Sequence, residues 1–151
     1  MAAVLAAVLA SAGWASVQIT EFSASNSKAI KDEFGDSSDW IEICNTGTQT
    51  VNLAGWRLTD DPANLSKWVF PVTNIAPGEY WVVFASGRNR ATAGRELHTN
   101  FELKKDGEFL ALVSSNGSIV QALNPFPTQV TDVSYGLLPA TTSVIFIART
   151  N

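Results

Sequence analysis

The chain has few of the residues on which most hydrolase and zinc sites depend. Among its 151 residues there is one histidine, His98, and one cysteine, Cys44. A standard zinc site needs several such ligands, and a serine or cysteine nucleophile needs a histidine beside it. A single cysteine also excludes an internal disulfide. We therefore expect no enzyme, no catalytic residues and no metal site. We interpret His98 as a half-buried residue bonded to the backbone and Cys44 as a buried apolar residue.

Charge is scarce as well. Charged side chains make up 16% of the sequence, with 10 basic and 14 acidic residues and a net charge of -4. Soluble domains usually carry about 25% charged residues. Because nucleic-acid binding depends on clustered lysines and arginines that displace counterions, we do not expect a nucleic-acid partner. The apolar N-terminal run is also shorter than the roughly 20 residues that span a bilayer, so we expect no transmembrane span.

The first fifteen residues are mostly Ala, Val and Leu, and the first basic residue of the chain is Lys28. A short apolar run that ends in small residues is typical of a secretory leader. Cleavage after residue 15 would release a chain that begins at Ser16, whereas cleavage after residue 12 fits the A-x-A pattern better but leaves a very short leader. An apolar N-terminal helix or anchor is the alternative, because the usual basic start of a leader is missing. We prefer a signal peptide over residues 1–15, which predicts a secreted or cell-envelope protein.

The rest of the chain alternates between short runs of Val, Ile, Phe, Trp, Tyr and Thr and turn residues, without a sustained helical period. This pattern predicts an all-β fold, an antiparallel β-sandwich. Residues 17–22 alternate in polarity, which places Val17 and Ile19 on one face of a strand and Phe22 on the other. Residues 80–85 are apolar on both faces, so we expect this strand to be central and covered on both sides.

The acidic segment of residues 32–39 is the best candidate for a binding site, through Asp32, Asp36 and Asp39. Hard cations prefer several carboxylate and carbonyl oxygens on a flexible loop, but the spacing does not fit an EF-hand. We interpret the segment as a solvated loop that Asp39 ties to the following strand, and we keep weak Ca²⁺ binding as the alternative. No cofactor is expected. We interpret the basic residues of positions 88–95, together with Lys104 and Lys105, as an ordinary solvated face, and we keep a positive rim beside aromatic residues as the alternative.

A series of segments in the right order resembles the lamin tail domain family, in the form found in exported bacterial proteins. The segments include Ile19-Thr20-Glu21-Phe22, Asp39-Trp40-Ile41-Glu42-Ile43, Val51-Asn52-Leu53-Ala54-Gly55-Trp56, Lys67-Trp68-Val69-Phe70-Pro71, Val82-Val83-Phe84-Ala85-Ser86-Gly87, Leu97-His98-Thr99-Asn100-Phe101 and Gly107-Glu108-Phe109-Leu110-Ala111-Leu112. The resemblance covers residues 17–136. It implies an immunoglobulin-like β-sandwich without catalytic residues. The chain shows no heptad region, so the partners of nuclear lamins, including chromatin, are not carried over.

These observations predict a lamin-tail-like domain over residues 16–136 and an uncertain segment over residues 137–151, which is either a last strand or a truncated end. The predicted function is a non-catalytic, extracytoplasmic interaction or binding module that is part of, or derived from, a larger exported protein. Its partner would be a protein or a cell-envelope or carbohydrate surface. The alternative is a structural spacer or accessory domain of a longer exported enzyme or surface protein.

Overall fold

Regular structure is entirely of the β type where the computed structural model describes the chain, over residues 16–137 and 144–147. The strands in these ranges are β1 (Val17–Ser23), β2 (Asp39–Asn45), β3 (Val51–Asn52), β4 (Arg57–Thr59), β5 (Trp68–Val69), β6 (Asn74–Ile75), β7 (Tyr80–Ala85), β8 (Leu97–His98), β9 (Leu110–Val113), β10 (Ile119–Leu123), β11 (Ser134–Leu137) and β12 (Val144–Ile147). Their β-branched and aromatic side chains suit a pleated, half-buried surface. Within the described part of the chain, no helix has the length and apolar character that crossing a membrane requires.

The strands form two main sheets. The larger sheet has six strands in the order β12-β11-β1-β2-β7-β8, and the smaller sheet has four in the order β10-β9-β4-β5. A separate two-stranded sheet consists of β3 and β6. Neighbouring strands are antiparallel, except that β7 and β8 run parallel. The all-β antiparallel sandwich predicted from the sequence is therefore confirmed.

Side chains from both main sheets meet in one apolar core. Ile41 and Ile43 on β2 are fully buried, as are Leu58 on β4 and Leu112 on β9. All four residues belong to the same cluster of contacting side chains. Burial of each such side chain contributes about 1.5–3 kcal/mol to the free energy of folding. This shared core holds the two sheets together.

Strand β1 contains a bulge that the sequence pattern did not reveal. Ile19 pairs with Ile43 and Glu21 pairs with Glu42, so Thr20 is an extra residue without a partner in the register. An extra residue reverses the direction of every later side chain on its strand. Phe22 therefore points into the core with Ile19. The prediction that these two residues lie on opposite faces was wrong.

Strand β7 is covered on both faces only near its end. Val83 faces the core and is fully buried, while Tyr80 and Val82 on the other face are 61% and 38% exposed. Phe84 shares that outer face but is buried, because the ring of His98 stacks on it with ring centroids 5.4 Å apart. The prediction of a strand covered on both sides along its length was wrong, because β8 and its loops cover only one end of it.

Candidate functional site

Asp32 shapes the loop that precedes β2. Its Oδ1 atom accepts hydrogen bonds from the backbone N–H groups of Phe34 and Asp36, each at 3.0 Å, and its Oδ2 atom accepts one from Ser38 Oγ at 3.3 Å. Burial acts to raise the pKa of Asp32, but these hydrogen bonds and the nearby His98 outweigh burial and lower it. The carboxylate is thus charged and serves as an internal cap of the loop. We call residues 26–38 the acidic loop.

Asn26 closes the base of the acidic loop. Its Nδ2 atom donates to the carbonyl oxygens of Ile30 at 2.7 Å and Ser38 at 2.8 Å, and its Oδ1 atom accepts from the backbone N–H of Ala29 at 2.9 Å. The residue is itself buried. These bonds link both ends of the loop and satisfy the Asn26 amide within it.

The acidic loop is paired with residues 86–96, which we call the arginine segment. Glu33 forms ion pairs with Arg90 and with Arg95, the second at 3.1 Å, and Asp36 forms one with Arg88. The hydrogen bonds from Arg90 and Arg95 lower the pKa of Glu33. Arg88 and Arg95 are solvent-exposed, as a solvated face requires, and the fold also pairs them with carboxylates distant in sequence.

An exposed aromatic ring lies at the centre of this ion-pair network. Phe34 is 53% exposed, and the guanidinium carbons of Arg88 and Arg90 lie 4.3 Å and 5.2 Å from its ring centroid. Its inner edge faces His98, with ring centroids 5.7 Å apart. Cation–π contacts of this kind contribute about 0.5–1 kcal/mol at exposed positions. We call Phe34 with Arg88 and Arg90 the Phe34 tip.

His98 lies beneath the Phe34 tip and is fully buried, not half-buried as the sequence suggested. Its backbone exchanges hydrogen bonds with Arg90, as expected, and its Nδ1 atom lies 2.8 Å from Ser86 Oγ. Burial lowers the pKa of His98, and the charge of Arg90 lowers it further, so the ring is neutral at pH 7. Glu96 Oε2 is 3.9 Å from Nε2, beyond hydrogen-bond distance. The buried ring of His98 therefore packs against the ring of Phe34 from below.

Cys44 is buried on β2, as the sequence predicts. Burial raises the pKa of its thiol, although a hydrogen bond with Tyr80 acts in the opposite direction. A thiol with a raised pKa has little of the thiolate form that reacts with electrophiles. The structure therefore gives Cys44 a packing role.

A cleft of about 680 Å³ lies beside the acidic loop. Its lining includes Asp36, Ser38, Asp39, Ser86, Arg88 and Glu102, and we call it the acidic cleft. Burial, followed by the charges of Glu102 and Glu108, raises the pKa of Asp39 to about 6, against the effect of backbone N–H donors. Of the three aspartates predicted to bind a ligand, Asp36 and Asp39 line the cleft, whereas Asp32 is used inside the loop.

Metal-ligating side chains do not converge in the acidic cleft or elsewhere in residues 16–137 and 144–147. No group of three or more His, Cys, Asp or Glu residues in these ranges is arranged to hold a metal ion. Weak Ca²⁺ binding by the acidic loop stays a prediction.

Sequence reasoning missed a second cavity, of about 390 Å³, next to the exposed half of β7. Pro71, Trp81, Val82 and Leu97 give it an apolar lining, and Arg95 of the arginine segment stands at its rim. Residues 80–85 gave one signal of this cavity, because the segment contains more apolar residues than one buried face needs. The segments that form the opposite wall lie too far away in sequence to be assigned without the fold.

Comparison with known proteins gives one family. A family model described as Lamin Tail Domain matches residues 10–125 of the chain. No curated protein matches the sequence. The matched range contains strands β1 to β10 and therefore includes the acidic loop, the arginine segment and most of the core.

Proposed function

The chain belongs to the lamin tail domain family, and on that premise we propose that it is a binding module acting outside the cytoplasm. Domains of this family are immunoglobulin-like, non-enzymatic interaction domains. The apolar residues 1–15 support export through a cleaved leader. The interacting domain would then occupy residues 16–136, within or derived from a larger exported protein of bacterial type.

The exposed ring of Phe34 is the observation that carries this proposal. Aromatic and arginine side chains are enriched at the centres of protein interfaces, where a few residues supply most of the binding energy. Here the ring is 53% exposed and two guanidinium groups hold it in place. A side chain that is ordered before binding loses little conformational entropy when a partner covers it.

The proposed partner is a protein surface that offers an apolar pocket with a polar rim. Phe34 would enter the pocket, while the ion pairs of Glu33 and Asp36 with the arginine segment would lie at the rim. Rim charges mainly set orientation and association rate, so the ring should supply most of the affinity. Cell-envelope carbohydrate is the other surface that an exported module of this kind would meet.

Substitution of Phe34 tests the proposal. The purified chain and its Phe34→Ala variant are incubated with a protein fraction and a polysaccharide fraction of the cell envelope, and retention is measured. We expect the protein fraction to retain the chain, with roughly tenfold weaker retention of the variant, because loss of an interface anchor costs more than about 1 kcal/mol. Ile119→Ala is the matched control, since Ile119 is 48% exposed on β10 of the other sheet.

The outcomes separate the candidate functions. Equal retention of the wild-type chain and Phe34→Ala would place the binding surface elsewhere. Retention by polysaccharide alone would replace the protein partner with a carbohydrate. If neither fraction retains the chain, the alternative function, a structural spacer or accessory domain of a longer exported protein, is favoured. Thermal unfolding of both variants shows whether they are folded.

A further inference from the structure

The outer edge of β7 has a partner strand along only part of its length. On the inner side, all six residues Tyr80–Ala85 pair with β2. On the outer side, β8 pairs only with Val83 and Phe84. Within the described part of the chain, β8 is the last strand of this sheet. The edge beside the first half of β7 therefore has no strand next to it.

The main-chain groups of Tyr80 and Val82 face this open edge. The carbonyl oxygen of Phe84 accepts a hydrogen bond from the backbone N–H of Thr99 at 2.8 Å, on the β8 side. Alternate residues of a strand direct their main-chain groups to the same side, and β7 pairs with β2 in an unbroken register. Val82 and Tyr80 therefore point theirs outward as well. Because the pairing with β8 starts at Val83, the N–H of Val82 and both groups of Tyr80 lie outside it.

The cavity of about 390 Å³ lies against this edge, and we call the edge and the cavity together the β7 groove. Trp81 and Val82 line it from the strand. Two other segments complete the lining, through Pro71 and Thr73 after β5 and through residues 93–97 up to the start of β8. The volume lies within the range of roughly 300–1,000 Å³ that is usual for binding pockets. The groove therefore has room for a side chain of another molecule.

Exposed apolar side chains gather around the groove. Tyr80 is 61% exposed, Val82 is 38% exposed, and Val72, between Pro71 and Thr73, is 75% exposed. Single exposed apolar residues are common on proteins, but a cluster of them beside a groove marks a surface that contacts another molecule. Covering these three side chains would remove apolar surface from water and favour binding.

The charges at the groove favour an uncharged occupant. Among the described lining residues, Arg95 and Glu96 carry charge, and both contact the acidic loop. Arg95 Nη2 lies 3.1 Å from Glu33 Oε1, and Glu96 Oε2 accepts a hydrogen bond from the backbone N–H of Glu33 at 2.6 Å. A charged group that entered the groove would have to displace one of these contacts to gain a counter-charge, because burial of an unpaired charge is costly.

The main-chain groups at the edge decide between an apolar small molecule and a peptide. A small apolar molecule or a lipid chain would cover the N–H of Val82 without accepting its hydrogen bond, and a buried main-chain group that lacks a partner is unfavourable. An extended peptide offers donors and acceptors at the spacing of a strand, and it directs alternate side chains toward the cavity.

We propose that the β7 groove binds an extended, uncharged segment of a partner protein, which adds as a strand to the edge at Tyr80–Val82 and places an apolar side chain in the cavity. In this mode of recognition, main-chain hydrogen bonds supply affinity and the pocket selects the side chain. The groove is a second surface beside the Phe34 tip. The inference therefore goes beyond the proposed function and does not depend on it.

Hydrogen exchange in the free chain tests whether the edge is open. The amides of Trp81 and Val83 serve as internal controls, because their N–H groups face β2. The amides of Tyr80 and Val82 should exchange at least roughly tenfold faster than these two. Equal protection of all four amides would mean that the edge is already closed, and it would overturn the proposal.

NMR titration with a defined probe tests binding. The probe is an acetylated and amidated six-residue peptide in which valine and threonine alternate. We expect saturable shifts in β7 and in residues 93–97 with a dissociation constant on the order of 1 mM. At saturation the amide of Val82 should exchange roughly tenfold more slowly than in the free chain. The absence of binding at about 10 mM peptide would overturn the proposal.

A chemical control separates strand addition from simple apolar contact. The same peptide with a methyl group on every backbone nitrogen keeps its side chains but has no backbone N–H to donate. It should bind at least roughly tenfold more weakly than the probe. Equal binding of the two peptides would contradict strand addition.

Substitutions locate the site on the chain. Val82→Lys places a charge in the groove and should weaken binding of the probe at least roughly tenfold, whereas Val130→Lys, the matched control at a valine outside the groove that is 61% exposed, should not. If Val82→Lys does not fold, Ala93→Trp fills the cavity from an exposed position and provides the same test. Binding that both groove variants leave unchanged would place the site elsewhere.

Two further measurements separate the alternatives. Phe34→Ala should bind the probe as the wild-type chain does, so loss of envelope retention and loss of probe binding are independent results. Sedimentation of the free chain examines self-association. A dimer that Val82→Lys dissociates would make a second copy of this chain the occupant of the groove, and it would overturn the proposal of a partner peptide.

Discussion

Phe34 keeps more than half of its side chain in solvent, and the charges beside it explain how it stays in place. Arg88 and Arg90 lie over its ring while their guanidinium groups are paired with Asp36 and Glu33. Exposed ion pairs contribute only about 0–1 kcal/mol each to the free energy of unfolding. The network therefore fixes the geometry of the tip and adds little to the stability of the sandwich.

Asp32 should matter more for stability than the other acidic residues of its loop. Replacement by Ala leaves the N–H groups of Phe34 and Asp36 and the hydroxyl of Ser38 without their acceptor. We expect Asp32→Ala to lower the free energy of unfolding in urea by about 1–3 kcal/mol. The exposed Asp106→Ala control should change it by less than about 0.5 kcal/mol. Similar losses in the two variants would contradict the capping role.

The residues of the candidate site could be found from the sequence only in part. The acidic segment was proposed from the sequence as a binding site, and Asp36 and Asp39 line a cleft, while binding of a ligand there stays a prediction. The role of Phe34 was missed because its arginine partners lie more than fifty residues away along the chain. Complementary charge in residues 32–39 and 88–95 was the available signal, but a single sequence does not show which loops meet.

At the scale of the strands, β7 divides the molecule into a core side and a solvent side. Val83 belongs to the apolar core and is fully buried, whereas Val82, its neighbour, is 38% exposed. Successive side chains of a strand point to opposite faces, so the same substitution should have very different effects at the two positions.

A lysine scan of β7 tests this division. Val82→Lys should change the free energy of unfolding by about 0.5 kcal/mol or less, because its ammonium group can stay in water. Val83→Lys should cost more than about 4 kcal/mol or prevent folding, because it buries an unpaired charge in the core. Urea unfolding followed by tryptophan fluorescence provides the measurement. A strand covered along its whole length would instead tolerate neither variant.

Strand positions followed from the sequence where the signal was local. Ile41 and Ile43 are separated by one residue, so alternation alone places them on one face of β2, and both are in the core. The bulge at Thr20 was missed because it exists only in the register between β1 and β2. Likewise Leu97–His98 is a strand of two residues that is defined by its parallel pairing with β7. Such features depend on partners that local periodicity does not contain.

For the whole molecule, pH changes stability through groups whose pKa differs between the folded and unfolded chain. Hydrogen bonds from Arg90 and Arg95 lower the pKa of Glu33 below 4.5, and hydrogen bonds from the side chain and backbone of Ser27 lower that of Asp132 below 3.8. Both groups stabilise the folded chain above these ordinary values, and this contribution is lost as the pH falls from them through the lowered pKa values of the folded chain. The two groups therefore contribute to unfolding in strong acid.

Between the acid range and neutrality, Asp39 and His98 act in opposite directions. Asp39 stabilises the fold as the pH falls through about 6, because burial and the charges of Glu102 and Glu108 raise its pKa. His98 destabilises it as the pH falls through 6.5, because burial keeps the folded ring neutral while the unfolded ring gains a proton. The free energy of unfolding of the wild-type chain should therefore depend only weakly on pH, because the contributions of Asp39 and His98 oppose each other.

Two substitutions should separate these contributions in the free energy of unfolding, measured in urea from about pH 7 to about pH 5. Asp39→Asn removes the stabilising proton site, so stability should fall on acidification through the remaining effect of His98. His98→Asn removes the opposing site, so stability should rise over the same range through Asp39. The wild-type slope should lie between the two. Slopes of the same sign in both variants would mean that Asp39 and His98 do not carry the pH response.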